Sequence, residues 1–209
     1  MIRQKPWPNV AFWGGLWCYA LCCRLLPYVL ARLGMPLDPA FSWYPWNFSP
    51  LMALSVFAGT ASPRLGGGSW FPLTVLLLSD VGLGWLTGRW DWAFPRTQIV
   101  VYMSFVLGSL LGRWVRPRAH WSTGVAAGWV AECQFFLFTN AAVWWFGGGI
   151  RYPLDAAGLL ACYVAALPFV GRSFLSTTLF SLILFRASVL NRVGVQPQPY
   201  KLITVWKTA

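Results

Sequence analysis

Long apolar runs, each closed by proline, glycine or arginine, follow one another along most of the chain. Crossing a hydrocarbon core takes a helix of roughly 17–25 apolar residues. Runs of this kind at 11–31, 48–62, 70–88, 98–115 and 123–147 predict five spans. The last apolar block, 156–190, is too long for one span and too short for two. Pro168, Gly171 and Arg172 divide it into a short segment, 156–169, and a full helix, 172–190, because proline and glycine punctuate local structure. Residues 191–209, with "VQPQPYK", predict an extended tail.

Charge decides whether the short segment crosses. If it is re-entrant or interfacial, six crossings leave both termini on one side. That side collects Arg3, Lys5, Arg64, Arg113, Arg116, Arg118, Arg186, Arg192, Lys201 and Lys207 with no acid. The other side carries Arg32, Arg89, Arg96, Arg151 and Arg172, offset by Asp38, Asp91 and Asp155. Basic loops stay cytoplasmic, so both termini are expected in the cytoplasm. The expected fold class is all-α: one integral membrane bundle, 1–209, of six transmembrane helices with a short re-entrant or interfacial segment before the last. The expected location is a bacterial inner membrane, with the lipid bilayer as first partner. The N-terminal run is too long for a signal-peptide core and ends without a clean small-residue cleavage site, so a retained first helix is expected.

Composition agrees. The 209 residues are 57% hydrophobic and 10% charged, where a soluble domain carries about 25% charged residues. The 15 tryptophans suit two interfacial belts. A net charge of +11 is spread singly between apolar runs, without the basic stripe or reading module of a nucleic-acid binder. The five cysteines show no zinc spacing and no disulfide framework. His120 is the single histidine, so haem held between two histidines of this chain is excluded. No H-E-x-x-H, phosphate-binding loop or G-x-S-x-G is present. No catalytic residue, metal site or cofactor is expected, and the chain is not expected to be an enzyme.

Ionisable and amide side chains inside spans are costly and mark functional sites by default. With the termini inside, Asn47, Asp80, Asn140 and Arg172 fall in one outer layer on four different helices. Trp46 and Trp144, with Trp43 and Trp145, share that layer. Together they predict an outward-facing pocket for a small polar or cationic molecule. Asp80 would bind the ligand, Asn47 and Asn140 would orient it, Trp46 and Trp144 would wall it, and 156–169 would form a lid. Each residue also has a structural reading. Asp80 pairs with Arg24 or Arg172, and Glu132, near mid-membrane, pairs with Arg24 or is protonated. Asn140 bonds between helices, Arg172 snorkels, Asn47 caps a helix, and the tryptophans anchor the belts. Small-residue spacings at Gly108/Gly112, Gly124/Gly128, Ala127/Ala131 and Ala157/Ala161/Ala165 permit close helix approach.

The stretches "NFSPLMALSVFAG", "LLLSDVGLG", "FFLFTNAAVW" and "RYPLDAAGLLACYVAALPF" resemble an uncharacterised bacterial family of six-helix membrane proteins described as transport proteins. That family is similar to the substrate-binding S components of energy-coupling factor transporters. The resemblance runs over about 46–190. Its motif positions are Asn47, Ser49, Pro50, Ser79, Asp80, Gly84, Thr139, Asn140, Tyr152, Pro153, Gly158 and Pro168. It implies a substrate-binding subunit that works with energising transporter subunits. Such components dock through an alanine-rich face of the first helix, where this chain offers Ala11 and Gly15 beside Trp13 and Trp17. A second function class is therefore kept: a non-catalytic accessory subunit of a larger membrane complex, packed against lipid, pigment or partner helices.

Overall fold

A computed structural model of the chain describes residues 10–36 and 49–196. All regular structure among them is helical: α1 (Val10–Arg32), α2 (Leu51–Ala61), α3 (Trp70–Thr87), α4 (Trp90–Ala93), α5 (Gln98–Val115), α6 (Trp121–Phe146), α7 (Ala156–Leu184) and α8 (Ala187–Arg192), with a 3₁₀ turn at Arg116–Arg118. Four stretches are long and apolar enough to cross a bilayer: α1, α3, Trp90–Arg118 and α7.

Side-chain contacts fix the helix directions. Arg24 meets Ser79 and Asp80, and Trp17 meets Thr74, so α1 and α3 run parallel. Ser55 reaches Phe105 and Thr60 reaches Gly112, which makes α2 parallel to α5. Glu132 meets Thr177 while Asn140 meets Cys162, so α6 and α7 are antiparallel. Asp80 on α3 meets Gln98 on α5, whereas Ser69 meets Ser109, and these two are antiparallel as well. The chain thus threads back and forth: α1, α3 and α6 run one way, α2, α5 and α7 the other.

The centre is α2. Residues Leu51 to Thr60 are all buried, as expected of a helix that is apolar on every side. An 11-residue helix rises only about 16 Å, so α2 is a core element sheathed by its neighbours. Its two hydroxyls are satisfied: Ser55 Oγ donates to Phe105 O at 2.6 Å and Thr60 Oγ1 to Gly112 O at 2.8 Å. Such close approach needs missing Cβ atoms. A side chain on Gly59 would meet the Ser109 carbonyl, and one on Gly112 the Val56 carbonyl. Gly124 makes the same room for Phe185, just after α7, and Gly128 for Thr177 of α7. Three of the small-residue spacings therefore serve internal packing, while Ala157, Ala161 and Ala165 face outward.

Outside the core the surface is greasy. Trp70, Trp114 and Trp121 are exposed at one end of the bundle, and Trp85, Trp90, Trp92 and Trp145 at the other. Trp129 is exposed along α6 as well, and a greasy surface with tryptophans toward both ends suits a bilayer protein.

One expectation is corrected. Residues 156–169 and 172–190 are not a short segment and a separate helix. A single 29-residue α7, with Pro168 inside it, covers Ala156–Leu184, so there is no separate lid. Asp155 caps its start by accepting from Gly158 N at 2.7 Å. Proline removes one backbone bond, but in a lipid-facing stretch every other backbone group still has to be satisfied internally, and a continuous helix does this. At 1.5 Å per residue α7 is roughly 43 Å long, enough to overshoot a hydrocarbon core. The tail expected from 191 begins with the end of α8, and 197–209 lie outside the described residues.

The contact of α2 with α5 makes a prediction. Gly112→Ala should destabilise the protein by about 1–3 kcal/mol through overpacking, seen as a lower Tm after detergent purification. Gly171→Ala, where nothing lies within 4 Å of the added Cβ, should leave Tm unchanged.

Candidate functional site

On α1 the buried residues are Ala20, Cys23 and Pro27, a helical stripe that also carries Arg24 inward. Arg24 Nε donates to Ser79 Oγ at 2.5 Å, and Nη2 donates to Asp80 Oδ1 at 2.7 Å. From α5, one turn apart, Gln98 Nε2 donates to Asp80 Oδ2 at 2.5 Å and Tyr102 Oη donates to it at 2.7 Å. Both carboxylate oxygens are therefore filled, and the Asp80 side chain is only 4% exposed. Arg24 keeps 29% of its side chain exposed. The cluster ties α1, α3 and α5 together and is electrically neutral.

Beside it lies a cavity of about 250 Å³. Its wall includes Arg24 and Tyr28 of α1, Ser49 before α2, Ser79 of α3, Phe105 of α5, Glu132 of α6 and Ser173 of α7. All six long or central helical segments thus reach one space. A second cavity of about 240 Å³ opens between α6 and α7, lined by Glu132, Phe136, Thr139, Asn140, Phe169 and Ser173 among others. Glu132, Phe135 and Ser173 border both. Glu132 is 7% exposed, and its Oε1 accepts from Thr177 Oγ1 at 2.5 Å. Both cavities sit toward the end of the bundle where α1, α3 and α6 finish and α2, α5 and α7 start.

The expected site residues separate. Trp46 and Asn47 lie outside the described residues. Asp80 is occupied by Arg24, Gln98 and Tyr102 and lines neither of these two cavities. Asn140 lines the second cavity while its Nδ2 donates to Phe136 O on its own helix at 2.8 Å. Trp144 Nε1 donates to Pro153 O at 2.7 Å, fastening the end of α6 to the approach of α7. Arg172 is half-buried on α7 and has a partner. Arg24 and Glu132, given structural readings from sequence, are the charged groups that line the first cavity among the described residues. Their isolation within apolar runs is the signal that could have found them. Ser49 stands among the motif positions, whereas Ser173 gave no signal, because serine is common in such helices.

Several of the motif positions have plain structural jobs. Ser49 Oγ accepts from Leu51 N at 3.3 Å at the start of α2. Gly84 leaves room for the Trp90 ring, and Gly158 lies against the Pro153 carbonyl. Among the described residues, no group of three or more histidine, cysteine, aspartate or glutamate side chains could hold a metal ion.

Residues 4–198 match the family described as DUF6580, a family of unknown function. The chain belongs to that family. No curated protein and no solved structure matches it.

The Arg24–Asp80 contact can be tested by removing one partner and, separately, by replacing both with apolar residues. Arg24→Ala leaves the buried carboxylate without its cation and should cost about 3 kcal/mol, near the lower bound for breaking a buried pair because Arg24 is partly exposed. Arg24→Met combined with Asp80→Leu should recover most of that loss in a detergent-unfolding assay.

Proposed function

We propose that this chain is the solute-binding subunit of a membrane transport system, with its pocket in the outer half of a six-crossing bundle. One observation carries the reading: a roughly 250 Å³ cavity walled by residues of six helical segments, with Arg24, Glu132, Ser49 and Ser173 among them. Apolar bundles close over their centres, and a polar cavity inside one is the usual form of a small-molecule site. The alternating helix directions support six crossings with α2 and α6 included. The basic residues around Arg113, Arg116 and Arg118 then face the cytoplasm, in a bacterial inner membrane, and the cavity end faces outward. A resemblance of the sequence motifs to S components of energy-coupling factor transporters would fit this arrangement, and energising subunits would then be the partners.

A second reading has one observation in its favour. Ala11, Gly15, Cys18 and Cys22 of α1 are all exposed, and a Cβ on Gly14 or Gly15 would meet nothing within 4 Å. This small-residue face suits close packing of a partner helix. It fits a transport subunit bound to its energising partner, and equally an accessory subunit of a larger complex.

The site reading is tested by screening water-soluble metabolites for a rise in Tm of the purified protein. At least one should stabilise the native chain and lose its effect in Val101→Trp, which fills the cavity. In a cysteine-free background, Leu83→Cys should react with a membrane-impermeant thiol reagent added to the periplasmic side. A screen without a single stabilising compound, together with an inert Leu83→Cys, would remove the proposal.

A further inference from the structure

We infer that Glu132 receives a cationic group of the bound solute, which makes the ligand a small organic amine or quaternary ammonium compound. The inference rests on the solute-binding reading above.

Charge accounting around the cavity leads to it. Arg24 faces the space, but its charge is committed to Asp80, and the oxygens of Asp80 are filled by Arg24, Gln98 and Tyr102. That cluster contributes no net charge. Glu132 is different. It is 7% exposed, borders both cavities, and among the described residues has one hydrogen bond, from the neutral hydroxyl of Thr177. Arg172 is itself engaged, and no ion pair joins it to Glu132. A carboxyl held in the middle of a membrane helix without a cation is costly, and an incoming ammonium group removes the cost.

The walls agree. Phe105 and Tyr28 line the first cavity, Phe136 and Phe169 the second, and Phe135 both. Aromatic faces attract cations and are the usual cage for quaternary ammonium groups. Ser49 and Ser173 supply hydroxyls for a polar substituent. An anionic solute would meet Glu132 with like charge, and a neutral one would leave the acid unmatched.

The experiment uses the full-length protein in lipid nanodiscs and three probes of one shape: benzylamine, benzyl alcohol and benzoate. Calorimetry should show benzylamine binding at least tenfold more tightly than either of the others. Glu132→Gln should lose that preference, while Glu132→Asp should keep it. The order among the three probes in the native protein needs no variant to fold. Tighter binding of benzoate or benzyl alcohol, or an unchanged benzylamine preference in a folded Glu132→Gln protein, overturns the inference and leaves the solute-binding reading in place. Binding of none of the three also overturns it, and the metabolite screen then decides the broader reading separately.

Discussion

The contact between Arg24 and Asp80 is the constraint on which the rest of the structure depends. An arginine and an aspartate buried in the same apolar bundle are each costly alone. Brought to 2.7 Å, with Gln98 and Tyr102 completing the carboxylate, they become a neutral joint between α1, α3 and α5. Joining α1 to the bundle in this way puts Arg24 on the cavity wall beside Tyr28. Glu132, across the cavity on α6, is then the buried acid that has no cationic partner among the described residues.

Around that joint the packing is unusually close. A fully buried α2 stands where a larger helix would leave no space, and Gly59 and Gly112 let its backbone touch that of α5. Hydroxyls of Ser55 and Thr60 then bond directly to carbonyls of α5. At the end where α2 starts, Ser49, Leu51 and Met52 contribute to the wall of the first cavity.

The all-helical character and the long apolar helices were legible from sequence, because a bilayer leaves the chain few alternatives. The stretch 98–115 shows this best: its apolar run coincides with α5 (Gln98–Val115). Pro168 misled, since breaker residues are read by their behaviour in water, whereas in lipid the continuous α7 satisfies more of the backbone. The site was legible only in part. Composition pointed to Asp80, Asn140 and Glu132 as isolated polar groups, but which acid is neutralised depends on which helices touch. Sequence left Arg24 equally able to meet Asp80 or Glu132. The parallel alignment of α1 with α3 resolves it, and no local signal encodes that alignment. Trp144 was ambiguous for a similar reason: its partner, the Pro153 carbonyl, is supplied by a loop.

On the proposed reading, the neutral clamp at Asp80, the buried acid at Glu132 and the ring-lined space beside them would form the solute site of an outward-facing membrane subunit. The most direct measurement is an experimental density map of the protein in lipid, at a resolution that shows side chains. The account predicts Arg24 turned to Asp80, Glu132 bordering an open space that holds water or a bound molecule, and that space lying in the half opposite the basic Arg113–Arg118 turn. A map in which Glu132 is ion-paired with Arg24 or Arg172 and side chains fill the cavity would contradict it.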